Sequence, residues 1–147
     1  MKIATGCQDG LIRIFDTCSP TSAPKEIKVS NAFEDAITKL HWHLDHLLYI
    51  SKRNGAVQLW DLRTGTTAPT QSAVLTDGKV AMDMELHPER NAIITASGKE
   101  VTMLTMDELR SVRVYEMPTP MNFNEEGGVS LSPDGKTFVS VFILLYI

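Results

Sequence analysis

Three histidines, His41, His43 and His46, fall close together with Asp45 between them. Residues two apart on a strand share a face, so His41 and His43 would point the same way, and imidazole nitrogen suits zinc. The set stops short of a metal site. His46 lies past a turn, and no cysteine or carboxylate pair completes a metal-binding spacing. The three read instead as polar residues at a strand end. Glu125 and Glu126 are paired carboxylates in name only, because neighbours in a connector point apart, and solvated loop charge is the better reading. Asn124-Glu125-Glu126-Gly127-Gly128 lacks the strand-to-helix setting of a phosphate loop. No serine stands in a nucleophile elbow. The residues therefore predict no catalytic group, no cofactor and no metal, and a chain that is not an enzyme.

The organising stretch runs from Asn54-Gly55 through Ala56-Val57-Gln58-Leu59-Trp60-Asp61 to Thr64-Gly65. It predicts a turn, a short strand and a second turn. Asn54-Gly55 suits a two-residue hairpin in which both positions tolerate positive φ. Val57, Leu59 and Asp61 alternate with Gln58 and Trp60, the period of a strand whose two faces are used differently.

That pattern recurs. Asp9-Gly10-Leu11-Ile12-Arg13-Ile14-Phe15-Asp16 aligns with it, the closing Asp16 and Asp61 standing 45 positions apart and Phe15 standing where Trp60 does. Downstream, Val101 follows Val57 by 44 positions, with Met103-Leu104-Thr105 in place of the Trp-Asp dipeptide. A second landmark keeps step: His43, His87-Pro88 and Ser132-Pro133-Asp134-Gly135 follow one another at 44 and 45 positions. Two independent landmarks with one period near 44 residues are the mark of a propeller blade, about 40–45 residues long. Unrelated strands of a sandwich would share no such register.

Of the 147 residues, 43% are hydrophobic and 22% charged, as in a globular domain. A net charge of −4 argues against a whole-chain electrostatic grip on nucleic acid or an anionic membrane. Cys7 and Cys18 are too few for a disulfide scaffold and read as free thiols in a reducing compartment. No basic segment followed by an apolar core opens the chain, so no secretory signal is expected.

Taken in order, the chain predicts repeats at about 2–31, 32–77, 78–117 and 118–147. The first begins midway, with residues 2–6 as a second strand, 11–16 as the third and 25–29 as an outer strand whose lysines suit an exposed edge. The second is whole: 37–43, 47–51, 56–61 and 72–75. The third is also whole: 80–86, 92–96, 100–104 and 112–116. A helical reading of 103–110 is open on propensity, but the repeat register outweighs it. After the Met117-Pro118-Thr119-Pro120 connector the fourth supplies 127–131, a type I turn at Ser132-Pro133-Asp134-Gly135, and a strand from Thr137. The run Phe142 to Ile147 then breaks the pattern. The ten residues from Phe138, apolar save Ser140 and Tyr146, are too few to cross a bilayer, which takes about 20, and are β-prone. The run reads as a truncated or misassembled chain end, with a natural final strand as the alternative. The aspartates at turns and strand ends, Asp9, Asp16 and Asp61, have a structural use, accepting backbone or indole N–H bonds that hold the hairpins.

These residues carry a resemblance to WD-repeat propellers. It rests on Thr5-Gly6, Gln8-Asp9, Leu11 to Asp16, Ala23-Pro24-Lys25-Glu26-Ile27, Val57-Gln58-Leu59-Trp60-Asp61 and Leu86-His87-Pro88-Glu89, and spans most of residues 2–140. The resemblance implies an all-β, seven-bladed ring of which this chain supplies about two and a half to three blades. The structural repeat motif would comprise Asp9, Phe15, Asp16, Trp60, Asp61, His87, Pro88, Asp134 and Gly135. It implies a non-catalytic scaffold for other proteins, cytoplasmic and nuclear, without small-molecule substrate, membrane or direct nucleic-acid contact. The subgroup it resembles joins the survival-of-motor-neuron complex in spliceosomal ribonucleoprotein assembly and mRNA splicing, and acts on receptor kinases in transforming growth factor-β signalling. A WD-repeat subunit of translation initiation factor 3 is the alternative. The chain departs from the family pattern in lacking a Gly-His pair before its inner strands and in its last residues.

Overall fold

The computed structural model describes residues 1–29, 36–64, 67–75, 80–98, 100–116 and 127–142. Gly65, the Met117–Pro120 connector, Glu125, Glu126 and the run 143–147 lie outside the described residues. Every regular element described is a strand. In chain order these are β1 (Lys2–Gly6), β2 (Leu11–Asp16), β3 (Lys25–Lys28), β4 (Ile37–His43), β5 (Leu47–Lys52), β6 (Ala56–Asp61) and β7 (Gln71–Val74). They continue with β8 (Asp83–Leu86), β9 (Ala92–Ala96), β10 (Glu100–Thr105), β11 (Ser111–Glu116), β12 (Gly127–Leu131) and β13 (Phe138–Phe142). The helical alternative for 103–110 is not what forms, because β10 pairs with β9 on one side and β11 on the other.

The strands form four antiparallel sheets, each built from neighbours in sequence: β1-β2-β3, β4-β5-β6-β7, β8-β9-β10-β11 and β12-β13. They are called sheets 1 to 4 below. The segments aligned by the sequence period, β2, β6 and β10, therefore lie in three different sheets. Several strand ends fall one residue from expectation, and one differs by three. The first strand of sheet 3 begins at Asp83, not Val80, because the Ala81 N–H turns to sheet 2 and donates to Lys52 O at 3.2 Å, and the first bond to β9 is that of Met82 N–H to Ala96 O at 2.9 Å.

Period-two alternation sorts each strand between two cores. Ile12, Ile14 and Ile27 of sheet 1 pack with Leu48, Ile50 and Trp60 of sheet 2. The opposite face of sheet 2, with Tyr49, Val57 and Leu59, packs on Met84, Ile93 and Leu104 of sheet 3. The far face of sheet 3, with Ile94, Ala96 and Val101, meets Val129 of sheet 4. The two faces of β6 are used differently, Val57 and Leu59 in one core and Trp60 in the other, but neither faces water. Its residues are buried on both sides, save half-buried Gln58, because a sheet lies over each face. β9 is buried at all five positions for the same reason, and its sequence Ala-Ile-Ile-Thr-Ala shows no polar alternation.

One buried polar contact crosses the middle core. The Tyr49 hydroxyl donates to the Met106 carbonyl at 2.9 Å. Burial, then the charge of Asp107, raises the pKa of this phenol, so it remains a donor. Tyr49→Phe leaves that carbonyl unpaired and is expected to cost about 1–3 kcal/mol. Urea unfolding of the two proteins measures it, and equal midpoints would mean that water replaces the hydroxyl.

Candidate functional site

The motif residues sit at the two ends of the sheets, where turns are held by side chains. At one end, Gly10 N–H bonds Cys7 O at 3.2 Å, Leu11 N–H donates to Asp9 Oδ1 at 3.0 Å, and Gly10 has φ 72°. The next sheet repeats this: Gly55 N–H bonds Lys52 O at 3.0 Å, Ala56 N–H donates to Asn54 Oδ1 at 3.0 Å, and Gly55 has φ 82°. Only the glycine adopts positive φ. The expected two-residue hairpin is thus a longer loop, a turn closed by a left-handed glycine that forms a bulge. Ser132-Pro133-Asp134-Gly135 follows the same plan at the opposite end of sheet 4. Gly135 N–H bonds Ser132 O at 2.8 Å, and Lys136 N–H donates to Asp134 Oδ1 at 3.1 Å.

At the far ends of β2 and β6 the aspartates also match. Asp16 Oδ1 accepts from Cys18 N–H at 3.0 Å, and Asp61 Oδ1 from Arg63 N–H at 2.9 Å. Asp61 further takes a two-pronged contact from the Arg63 guanidinium, at 3.1 and 2.7 Å. The indole N–H of Trp60 goes to Gln58 Oε1 at 3.2 Å, two residues back on its own strand, and not to an aspartate.

Contacts of this kind lower the pKa values of Asp61, Asp9 and Asp134. The Arg63 side chain, then its backbone N–H, hold Asp61 down to about 2. The Arg13 side chain does the same to Asp9, and the Ser132 hydroxyl to Asp134, in direction. The folded pKa lies below the unfolded value of about 3.9, so the stabilisation is present above that pH and lost as pH falls towards 2. Melting temperature is expected to drop across this window. In Asp61→Asn it starts lower and drops less. Parallel curves for the two proteins would remove Asp61 from the account.

His87 and Pro88 form the turn between β8 and β9. The His87 ring is buried and joins two sheets. Its Nδ1 accepts from the N–H groups of Glu89 and Arg90 at 3.2 and 3.0 Å, so the proton is on Nε2, which donates to the Gly135 carbonyl at 2.9 Å. Phe15, in contrast to Trp60, is 40% exposed against 2%.

The other candidates are spread out. His41 and His43 share a face of β4 with Lys39, and the His43 ring lies 6.2 Å from that of Tyr49. Burial, then the charge of Lys39, lowers the pKa of His41. His46 is in the turn after β4, and among the described residues no three His, Cys, Asp or Glu side chains could hold a metal ion. Cys7 and Cys18 are exposed free thiols.

Sequence reasoning missed the polar contacts between the first strands of neighbouring sheets. Lys39 Nζ of β4 meets Asp83 Oδ1 of β8 at 2.8 Å. Asp83 Oδ2 accepts from Val129 N–H at 3.1 Å, and Glu85 Oε2 from Leu131 N–H at 2.9 Å, so two carboxylates of β8 cap the free edge of β12. The Thr38 hydroxyl likewise donates to the Ala81 carbonyl. In the sequence Asp83 and Glu85 show only that two acids two apart on a strand share a face, which does not say what that face meets. Together these features hold the turns at both ends of a stack of sheets by side-chain contacts.

No protein-family model matches the chain. Three curated relatives are each named serine-threonine kinase receptor-associated protein. The chicken (Gallus gallus) protein is 26% identical over 138 residues, 94% of this chain and 36% of its own length. The Dictyostelium discoideum protein is 26% identical over 141 residues, 95% of this chain and 44% of its own. The human protein is 27% identical over 138 residues, 94% and 36%. The chain resembles part of these proteins. It spans 36–44% of the length of these relatives.

Proposed function

We propose that the chain is a segment of a WD-repeat propeller and works as a non-catalytic scaffold on which other proteins assemble. The observation that carries this reading is the recurrence, 45 residues apart in sheets 1 and 2, of the same two side-chain-held turns, Asp9 with Asn54 and Asp16 with Asp61. Repeats 2–31, 32–77, 78–117 and 118–147 would each contribute to a blade, with Asp9, Phe15, Asp16, Trp60, Asp61, His87, Pro88, Asp134 and Gly135 as its repeat motif. The name of the relatives points to a serine/threonine kinase receptor as partner. On the resemblance alone the reading extends to the survival-of-motor-neuron complex and mRNA splicing, and to residence in cytoplasm and nucleus. A propeller suits this use because partners dock on loops and edges that a rigid core holds in place.

The test is direct binding between this chain and the purified kinase domain of a transforming growth factor-β-type receptor, by interferometry. Saturable binding is expected. Failure to bind, with the human relative binding under the same conditions, would place the receptor contact in parts of the relatives that this chain does not cover.

A further inference from the structure

Sheets 1, 2 and 3 end in the outer strands β3, β7 and β11. An outer strand leaves a row of main-chain groups unpaired, and proteins guard such edges with short strands, lysine, proline or bulges. β3 and β7 are short, with four residues each, and β3 keeps both of its lysines exposed. β11, Ser-Val-Arg-Val-Tyr-Glu, has six residues, no lysine and no proline. Val112 is 59% exposed and Val114 38%. Its guard is a bulge at Val112, between the pairs Met103–Arg113 and Leu104–Ser111, which leaves residues 113–116 regular. Among the described residues no strand pairs with its outer edge. The register fixes which groups lie on that edge. The Glu100 carbonyl accepts from Ser97 N–H, so it points towards β9. The main chain of the next residue, Val101, points towards β11, where it stands opposite Tyr115. Tyr115 and Arg113 thus turn their main chain inward, and Val114 and Glu116 turn theirs to the free edge.

We propose that this edge pairs, antiparallel, with β11 of a second copy of the chain, about a two-fold axis at Val114. A two-fold contact sets one patch against itself, so the strand must be self-complementary. With the axis at Val114 it is. Val114 stands opposite the partner's Val114, two exposed valines cover each other, and the pair exchanges both main-chain bonds. Arg113 stands opposite the partner's Tyr115, a cation against an aromatic ring. The guanidinium already favours that ring within its own strand, where its Cζ lies 5.2 Å from the Tyr115 centroid. The neighbouring registers are worse. An axis at Arg113 sets two like charges directly opposite, and an axis at Tyr115 sets each valine against the Glu116 carboxylate. Opposite residues lie on the same face in the favoured register, so sheet 3 of one copy continues into sheet 3 of the other. The contact uses an outer strand in the middle of the chain and leaves the turns at both ends of the sheets uncovered.

The experiment is light scattering of the full chain over a concentration series, beside Val114→Lys and Val114→Glu, each alone and the two mixed in equal amounts. Circular dichroism checks that both variants keep their strands. The parent is expected to pass from monomer to dimer as concentration rises. Each variant alone weakens the dimer about tenfold, because like charges now meet across the axis, and the mixture regains it, because unlike charges meet. Amide exchange of the parent gives a second readout. The Val114 and Glu116 amides slow as the dimer forms, and those of Arg113 and Tyr115 keep their rates. A parent that stays monomeric throughout overturns the proposal. So does association that leaves the Val114 amide unchanged, or a mixture no tighter than its components, since the contact then lies elsewhere. Tighter association by Val114→Lys alone also overturns it, by placing Glu116 opposite Val114. If either variant loses its strands, amide exchange in the parent decides.

Discussion

Trp60→Ala is expected to destabilise the chain by about 3–5 kcal/mol, the usual cost of truncating a buried aromatic. Phe15→Ala is expected to cost about 1–2 kcal/mol, in keeping with its partial burial. The two residues hold the same place in their sheets. Trp60 stands opposite Leu48 across β5 and β6, and Phe15 stands opposite Ile3 across β1 and β2. Both pairs face the side of the preceding sheet. For Trp60 that side is filled by Ile12, Ile14 and Ile27, and the indole is 2% exposed. For Phe15 no described sheet lies there, so less packing can be lost. Urea unfolding followed by circular dichroism, at a concentration where the chain is monomeric, gives both values. Equal losses would show that Phe15 is covered in solution.

Gly135→Ala is expected to cost about 2–4 kcal/mol, from a side chain forced into the left-handed region and from overpacking. Gly135 has φ 65°, and a Cβ there would lie 2.6 Å from His87 Nε2, within the ring's own space. The two causes can be separated. Removing the ring with His87→Ala gives the new methyl room, so the double variant should be less destabilised than the sum of the singles by about 1 kcal/mol or more. Strict additivity would mean that backbone strain alone sets the cost and that the two turns do not press on each other.

The strands were legible because each repeat writes them twice, once in alternation and once in turn residues. Asp9-Gly10 and Asn54-Gly55 mark loops through local chemistry: a short side chain accepting the N–H two residues on, and a glycine free to take positive φ. Such contacts span two or three positions, so a local pattern carries them. The glycine-only positive φ at Gly55 was misjudged, since Asn-Gly also fits a tighter hairpin. The contacts of Asp83, Glu85 and His87 were not legible. Their partners Val129, Leu131 and Gly135 are 46 to 48 residues away, and nothing local distinguishes a carboxylate that caps a neighbouring strand from one that faces water.

By itself the sequence determined the all-β class, the place of nearly every strand and the order in which strands pair, because these follow from period-two alternation and from turns with fixed short-range chemistry. The tertiary structure decided which faces are buried. Ile3 with Phe15 and Leu48 with Trp60 are the same cross-strand pair, 45 residues apart, and one is half-exposed while the other is sealed. Alternation says that a strand has two faces. Only the stacking of whole sheets, through cores shared by residues far apart in the chain, says what lies against each.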